Sequence, residues 1–72
     1  MNKIGKRLVE ALASKYKAEM NDSTARLAVY TDNPVAIGEH PQITEEMDKL
    51  VAQYTDAKDK LSSLEEMVKE IE

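Results

Sequence analysis

The chain contains no cysteine, no tryptophan and no phenylalanine, and only two glycines and two prolines. Without cysteine there is no disulfide, and no thiolate cluster to hold a structural metal. Without Trp and Phe the apolar volume must come from Leu, Ile, Val, Met, Ala and three Tyr, a composition that suits helix seams better than a sheet core. No apolar run approaches the ~18 residues of a membrane span. The start of the chain lacks the apolar h-region of a secretory signal, so the expected location is cytoplasmic.

What is present is 72 residues, enough for one small domain. A single core of this size rarely supplies more than ~3–5 kcal/mol. With no covalent or metal staple in view, oligomerisation is the remaining route to a robust fold. The net charge of −4 is unevenly spread: residues 1–36 carry a net +2 and residues 37–72 a net −6. An acidic chain with so little aromatic surface is a poor nucleic-acid binder.

The strongest pattern is a heptad stripe in the C-terminal half. Ile43, Met47, Leu50, Tyr54, Ala57, Leu61, Leu64, Val68 and Ile71 follow at steps alternating between 4 and 3. This is the a/d pattern of a helix lying along another helix. The N-terminal half carries a companion stripe: Val9, Leu12, Tyr16, Met20, Ser23, Leu27 and Tyr30. Its steps include one stutter between Leu12 and Met20, which relaxes a supercoil locally without breaking the helix.

Between the stripes, Asn33-Pro34 is a helix stop, because proline pushes the residue before it out of the α region. Gly38 permits a tight reversal, and Pro41 suits the first position of a second helix. His40 is the expected N-cap, with Thr44 as a competing cap. The expected fold is therefore all-α: one antiparallel two-helix hairpin spanning 1–72, with a helix over about 2–31, a connector over about 32–41 and a helix over about 42–71.

If the reversal lies near residue 36 or 37, facing residues have numbers that sum to about 73. Tyr30 then meets Ile43, Leu27 meets Met47, Ser23 meets Leu50, Met20 meets Tyr54 and Tyr16 meets Ala57. Leu12 meets Leu61, and Val9 meets Leu64. Small residues oppose large ones, so the layers interdigitate. The same register sets Lys3, Lys6 and Arg7 beside Glu65, Glu66, Glu70 and Glu72. Each cluster sits at the wrong end of its own helix dipole, so juxtaposition offsets both faults.

A hairpin leaves a second stripe uncovered. Ile4, Leu8, Ala11, Ala18, Ala25 and Val29 keep heptad spacing on another face of the first helix, with Lys15 and Asp22 interrupting. Val51 and Met67 add apolar area on the second helix. Small side chains let a partner helix come close, so this stripe is a candidate self- or partner interface, and pairing two copies would give a dimeric four-helix bundle.

Motifs for chemistry are sparse. His40 is the single histidine, and the Glu-x-x-His signature of di-iron bundles is absent. Asp56-Asp59, Glu65-Glu66 and Ser62-Ser63 read as solvated helix faces rather than metal ligands or nucleophiles. Two helices provide no pocket for a triad or a small-molecule substrate. No catalytic residue, cofactor or metal is therefore expected. Lys3, Lys6 and Arg7 with Ile4 and Leu8 resemble the start of a membrane-surface helix, but the stretch is short and the hairpin offers those charges acidic neighbours. No membrane partner is expected.

Ile37, Gly38, Glu39 and His40 form a candidate recognition tip, although Gly38 and both prolines already have backbone roles. The connector Ile37-Gly38-Glu39-His40-Pro41, with the upstream Lys15-Tyr16-Lys17-Ala18-Glu19 and the acidic second helix, resembles small helical proteins of marine tailed phages such as cyanophages. The similarity covers most of the chain, but only the connector is specific. It implies an origin, in the cytoplasm of an infected host, and carries no activity. The expected function is a non-catalytic helical interaction or assembly protein that pairs with itself, with a monomeric hairpin that binds and modulates a host enzyme or other host protein as the alternative.

Overall fold

The computed structural model describes residues 1–32 and 42–72. The predicted connector features Asn33, Pro34, Ile37, Gly38, Glu39, His40 and Pro41 lie outside the described residues. Two α-helices are present, α1 over Lys3–Asp32 and α2 over Ile43–Ile71. They pack along their lengths as a hairpin with principal extents of 52 × 16 × 14 Å. With only two helices to cover one another, every described residue off the seam meets solvent or a partner.

The start of α1 has a side-chain cap that the heptad pattern did not reveal. The Gly5 N–H donates to Asn2 Oδ1 at 2.7 Å, and the Lys6 N–H donates to the Asn2 carbonyl at 3.0 Å. Asn is among the best N-caps because its side-chain oxygen satisfies an orphan amide of the first turn. The start of α2 differs from expectation. Its N-cap is Gln42, which makes no side-chain capping bond, and Thr44 lies one residue inside the helix rather than at its boundary. Glu45 and Glu46 occupy the first turn of α2 and Lys69 its last, each favourable to the dipole.

The helices run antiparallel with facing residues summing to between 72 and 77. Gln53 Nε2 donates to the Glu19 carbonyl at 3.3 Å across the seam. Ser23 and Leu27 share one groove with Leu50 and Tyr54, and Val9 and Ala13 share another with Leu64 and Val68. Two small residues mark where the helices come closest: Ala57 has no exposed surface and Ser23 only 2%. A buried Ser in a helix needs a partner for its hydroxyl, and Ser23 Oγ donates to the Glu19 carbonyl at 2.9 Å, within its own helix.

The seam of α1 gains one residue over the expected stripe. Ala13 is half-buried, and Leu12, at 37% exposure, lies at the seam's margin much as Tyr54 does at 36%. The residues turned toward α2 are thus Val9, Ala13, Tyr16, Met20, Ser23, Leu27 and Tyr30, at steps of 4, 3, 4, 3, 4 and 3. No stutter is needed. Leu12 flanks the seam, in a groove with Tyr16, Lys60, Leu64 and Met67. On α2, Ile43, Met47, Leu50, Ala57, Leu61, Leu64 and Val68 are protected, and Tyr54 lies at the margin of exposure.

Ile71, placed on the seam by spacing, is 68% exposed. The register carries it to the very start of α1, where the last turn of α2 has only the first turn of α1 beside it. The expected pairing of Lys3, Lys6 and Arg7 with the acidic end of α2 is not formed within 4 Å. The three ion pairs among the described residues, Arg26–Asp22, Lys49–Glu46 and Lys60–Asp56, each lie within one helix. Exposed ion pairs are weak, and local i,i+3 or i,i+4 partners need less ordering than partners across the open end of a hairpin.

Candidate functional site

The outer face of α1 is where this chain presents apolar surface without covering it. Ile4, Leu8 and Val29 are 72%, 66% and 55% exposed. Ala11, Ala18 and Ala25 are exposed between them. With 3.6 residues per turn, Ala11, Ala18 and Ala25 lie roughly 150° or more around α1 from the seam, whereas Leu8 and Val29 sit on its flank. The alanines look away from α2, while Asp22 and Val29, at the edge of the row, border it: Asp22 bonds Gln53 and Val29 shares a groove with Glu46 and Leu50.

Two charged residues interrupt the row. Asp22 Oδ1 accepts from Arg26 Nε at 3.0 Å, and Asp22 Oδ2 accepts from Gln53 Nε2 at 3.3 Å. The Arg26 hydrogen bond and then the Gln53 hydrogen bond hold the Asp22 carboxyl below its ordinary pKa. Lys15 is exposed and belongs to none of the ion pairs among the described residues. On α2 the Asp56 carboxylate, one helical turn before Lys60, raises the pKa of that ammonium.

Gln53 was not legible as a contact residue. It falls beside the seam, and its long polar side chain reaches two groups on α1, the Glu19 carbonyl and the Asp22 carboxylate. The available signal was its place one residue before Tyr54, on the flank of the heptad stripe. The second cluster of exposed apolar residues lies at the open end, where Leu8 and Leu12 on α1 approach the level of Met67 and Ile71 on α2.

The depressions in the surface are shallow grooves along the helix pair, such as the one lined by Leu12, Tyr16, Lys60, Leu64 and Met67. Among the described residues no three His, Asp or Glu side chains converge on a metal position. No helix among them is long and apolar enough to cross a membrane. The predicted tip, Ile37, Gly38, Glu39 and His40, lies outside the described residues. Comparison with protein families, with curated proteins and with solved structures finds no match to the chain.

Proposed function

We propose that this protein is a non-catalytic helical interaction protein that self-associates through the outer face of α1. The carrying observation is that exposed face, with Ile4, Leu8 and Val29 unshielded along a 30-residue helix. The thin hairpin core also leaves stability to be gained from a partner. The connector's resemblance to small helical proteins of marine tailed phages supports reading it as a phage accessory protein.

Sedimentation equilibrium over a concentration series, at low and high salt, tests this reading. The expected result is a mass of twice the chain at micromolar concentration. A folded monomer at every concentration would refute self-association and favour the alternative, a hairpin whose free face docks on a host protein.

A further inference from the structure

Resting on that reading, we infer that the occupant of the α1 face is the same face of a second copy, running antiparallel about a two-fold axis near Ala18. An isologous contact requires that if residue i meets j, then j meets i. The row that interrupts and ends the face satisfies this condition. Leu8, Lys15, Asp22 and Val29 recur every seven residues, and pairing them in reverse order sets Leu8 on the partner's Val29 and Lys15 on the partner's Asp22. The outward alanines follow in the same register, with Ala11 on the partner's Ala25 and Ala18 on its own copy.

Charge chooses this direction. A parallel, in-register pairing would bring Lys15 against Lys15 and Asp22 against Asp22, and like charges across a helix pair disfavour it. The reversed pairing makes two opposite-charge contacts, related by symmetry. Asp22 already has one neighbour on each carboxylate oxygen, Arg26 and Gln53. A carboxylate offers about four acceptor positions, so a lysine can be added. Glu19 approaches its copy on one flank of the axis, and Lys60 of α2 lies within its field. The alanines do not recognise the partner by themselves. They keep the two backbones close enough for Leu8 and Val29 to reach across.

Single cysteines test the register on the full chain. Ala18, Ala11 and Ala25 are exposed, so these substitutions leave the hairpin seam untouched. Under mild oxidation Ala18→Cys should give a covalent dimer. Ala11→Cys alone should not, because it faces position 25 and the two thiols start about 21 Å apart along the helices, beyond disulfide reach. A mixture of Ala11→Cys and Ala25→Cys chains should crosslink as mixed dimers. As a second measurement, Lys15→Asp should weaken association roughly five- to twentyfold, since two symmetric exposed pairs turn repulsive. Adding Asp22→Lys to it should recover most of the loss. Crosslinking of Ala11→Cys alone as fast as Ala18→Cys would overturn the antiparallel register. A dimer by sedimentation with no Ala18→Cys crosslink would overturn this inference and leave self-association standing. A monomer in sedimentation would remove both.

Discussion

Replacing Ala57 by Leu is the sharpest probe of how closely the two helices approach. Ala57 has no exposed surface, in a molecule only 14–16 Å across. Three extra carbons at that point have no void to enter and must push α1 away. Overpacking a tight site costs about 1–3 kcal/mol. Ala and Leu differ little in helix propensity, so backbone preference does not obscure the effect. The control is the same change at Ala52, which is exposed on the outer side of α2 and should respond by no more than about 0.5 kcal/mol. For a domain this small each kcal/mol moves Tm by about 4–8 °C. Ala57→Leu should therefore lower Tm by about 4–24 °C in a thermal melt followed by circular dichroism, while Ala52→Leu stays near wild type. Both melts must use one protein concentration, because self-association shifts Tm. Equal melting temperatures for the two variants, or a more stable Ala57→Leu, would refute the close approach at this layer.

Asn2→Ala removes the side-chain cap at the start of α1 and should cost about 1 kcal/mol, with hydrogen exchange accelerating first at Gly5 and Lys6. Ser23→Ala should be neutral or stabilising by up to about 0.5 kcal/mol in urea unfolding. Its hydroxyl bonds only within its own helix, the Glu19 carbonyl keeps Gln53 as a partner, and Ala is the better helix former. Asp22 should titrate below the ordinary 3.8 in carboxyl NMR, and Arg26→Ala should move it toward that value further than Gln53→Ala does, because Arg26 is the larger cause. Its pKa is lower folded than unfolded, so its contribution to stability is present above about pH 4 and is lost as pH falls through the folded value.

The heptad spacing over Ile43–Ile71 leaves little choice but a helix with one long apolar edge. The matching edge in the first thirty residues, the Asn33-Pro34 stop between them and the short connection make an antiparallel pair the simplest arrangement. These are properties of local geometry, a repeat near 3.5 and a proline that cannot continue a helix, and they are visible in one dimension. The positions of Leu12 and Ala13 were not. Both fall within about 50° of the seam, one on each side of its midline, and hydrophobicity favours Leu12 alone. Only the partner helix decides between them: with α2 in place, Ala13 turns inward and Leu12 is left at the rim. Ile71 has the right spacing yet is 68% exposed, because it ends α2 level with the very start of α1. The exposed basic and acidic ends are opposite in sign, yet the ion pairs among the described residues are local, since a weak pair does not order two distant side chains.

The outer stripe of α1 was likewise visible as a pattern, but its direction was not. Counting residues shows that Ile4, Leu8, Ala11, Ala18, Ala25 and Val29 share a face. It cannot show that the alanines lie across the helix from the seam while Val29 borders α2 until the seam itself is located. The sequence by itself determined two helices, their approximate ends and their antiparallel pairing, because periodicity and helix-stop chemistry act over a few neighbouring residues. The tertiary structure alone decided which side chains are shielded and which way the uncovered face looks, because burial depends on the partner surface and on the angle between faces.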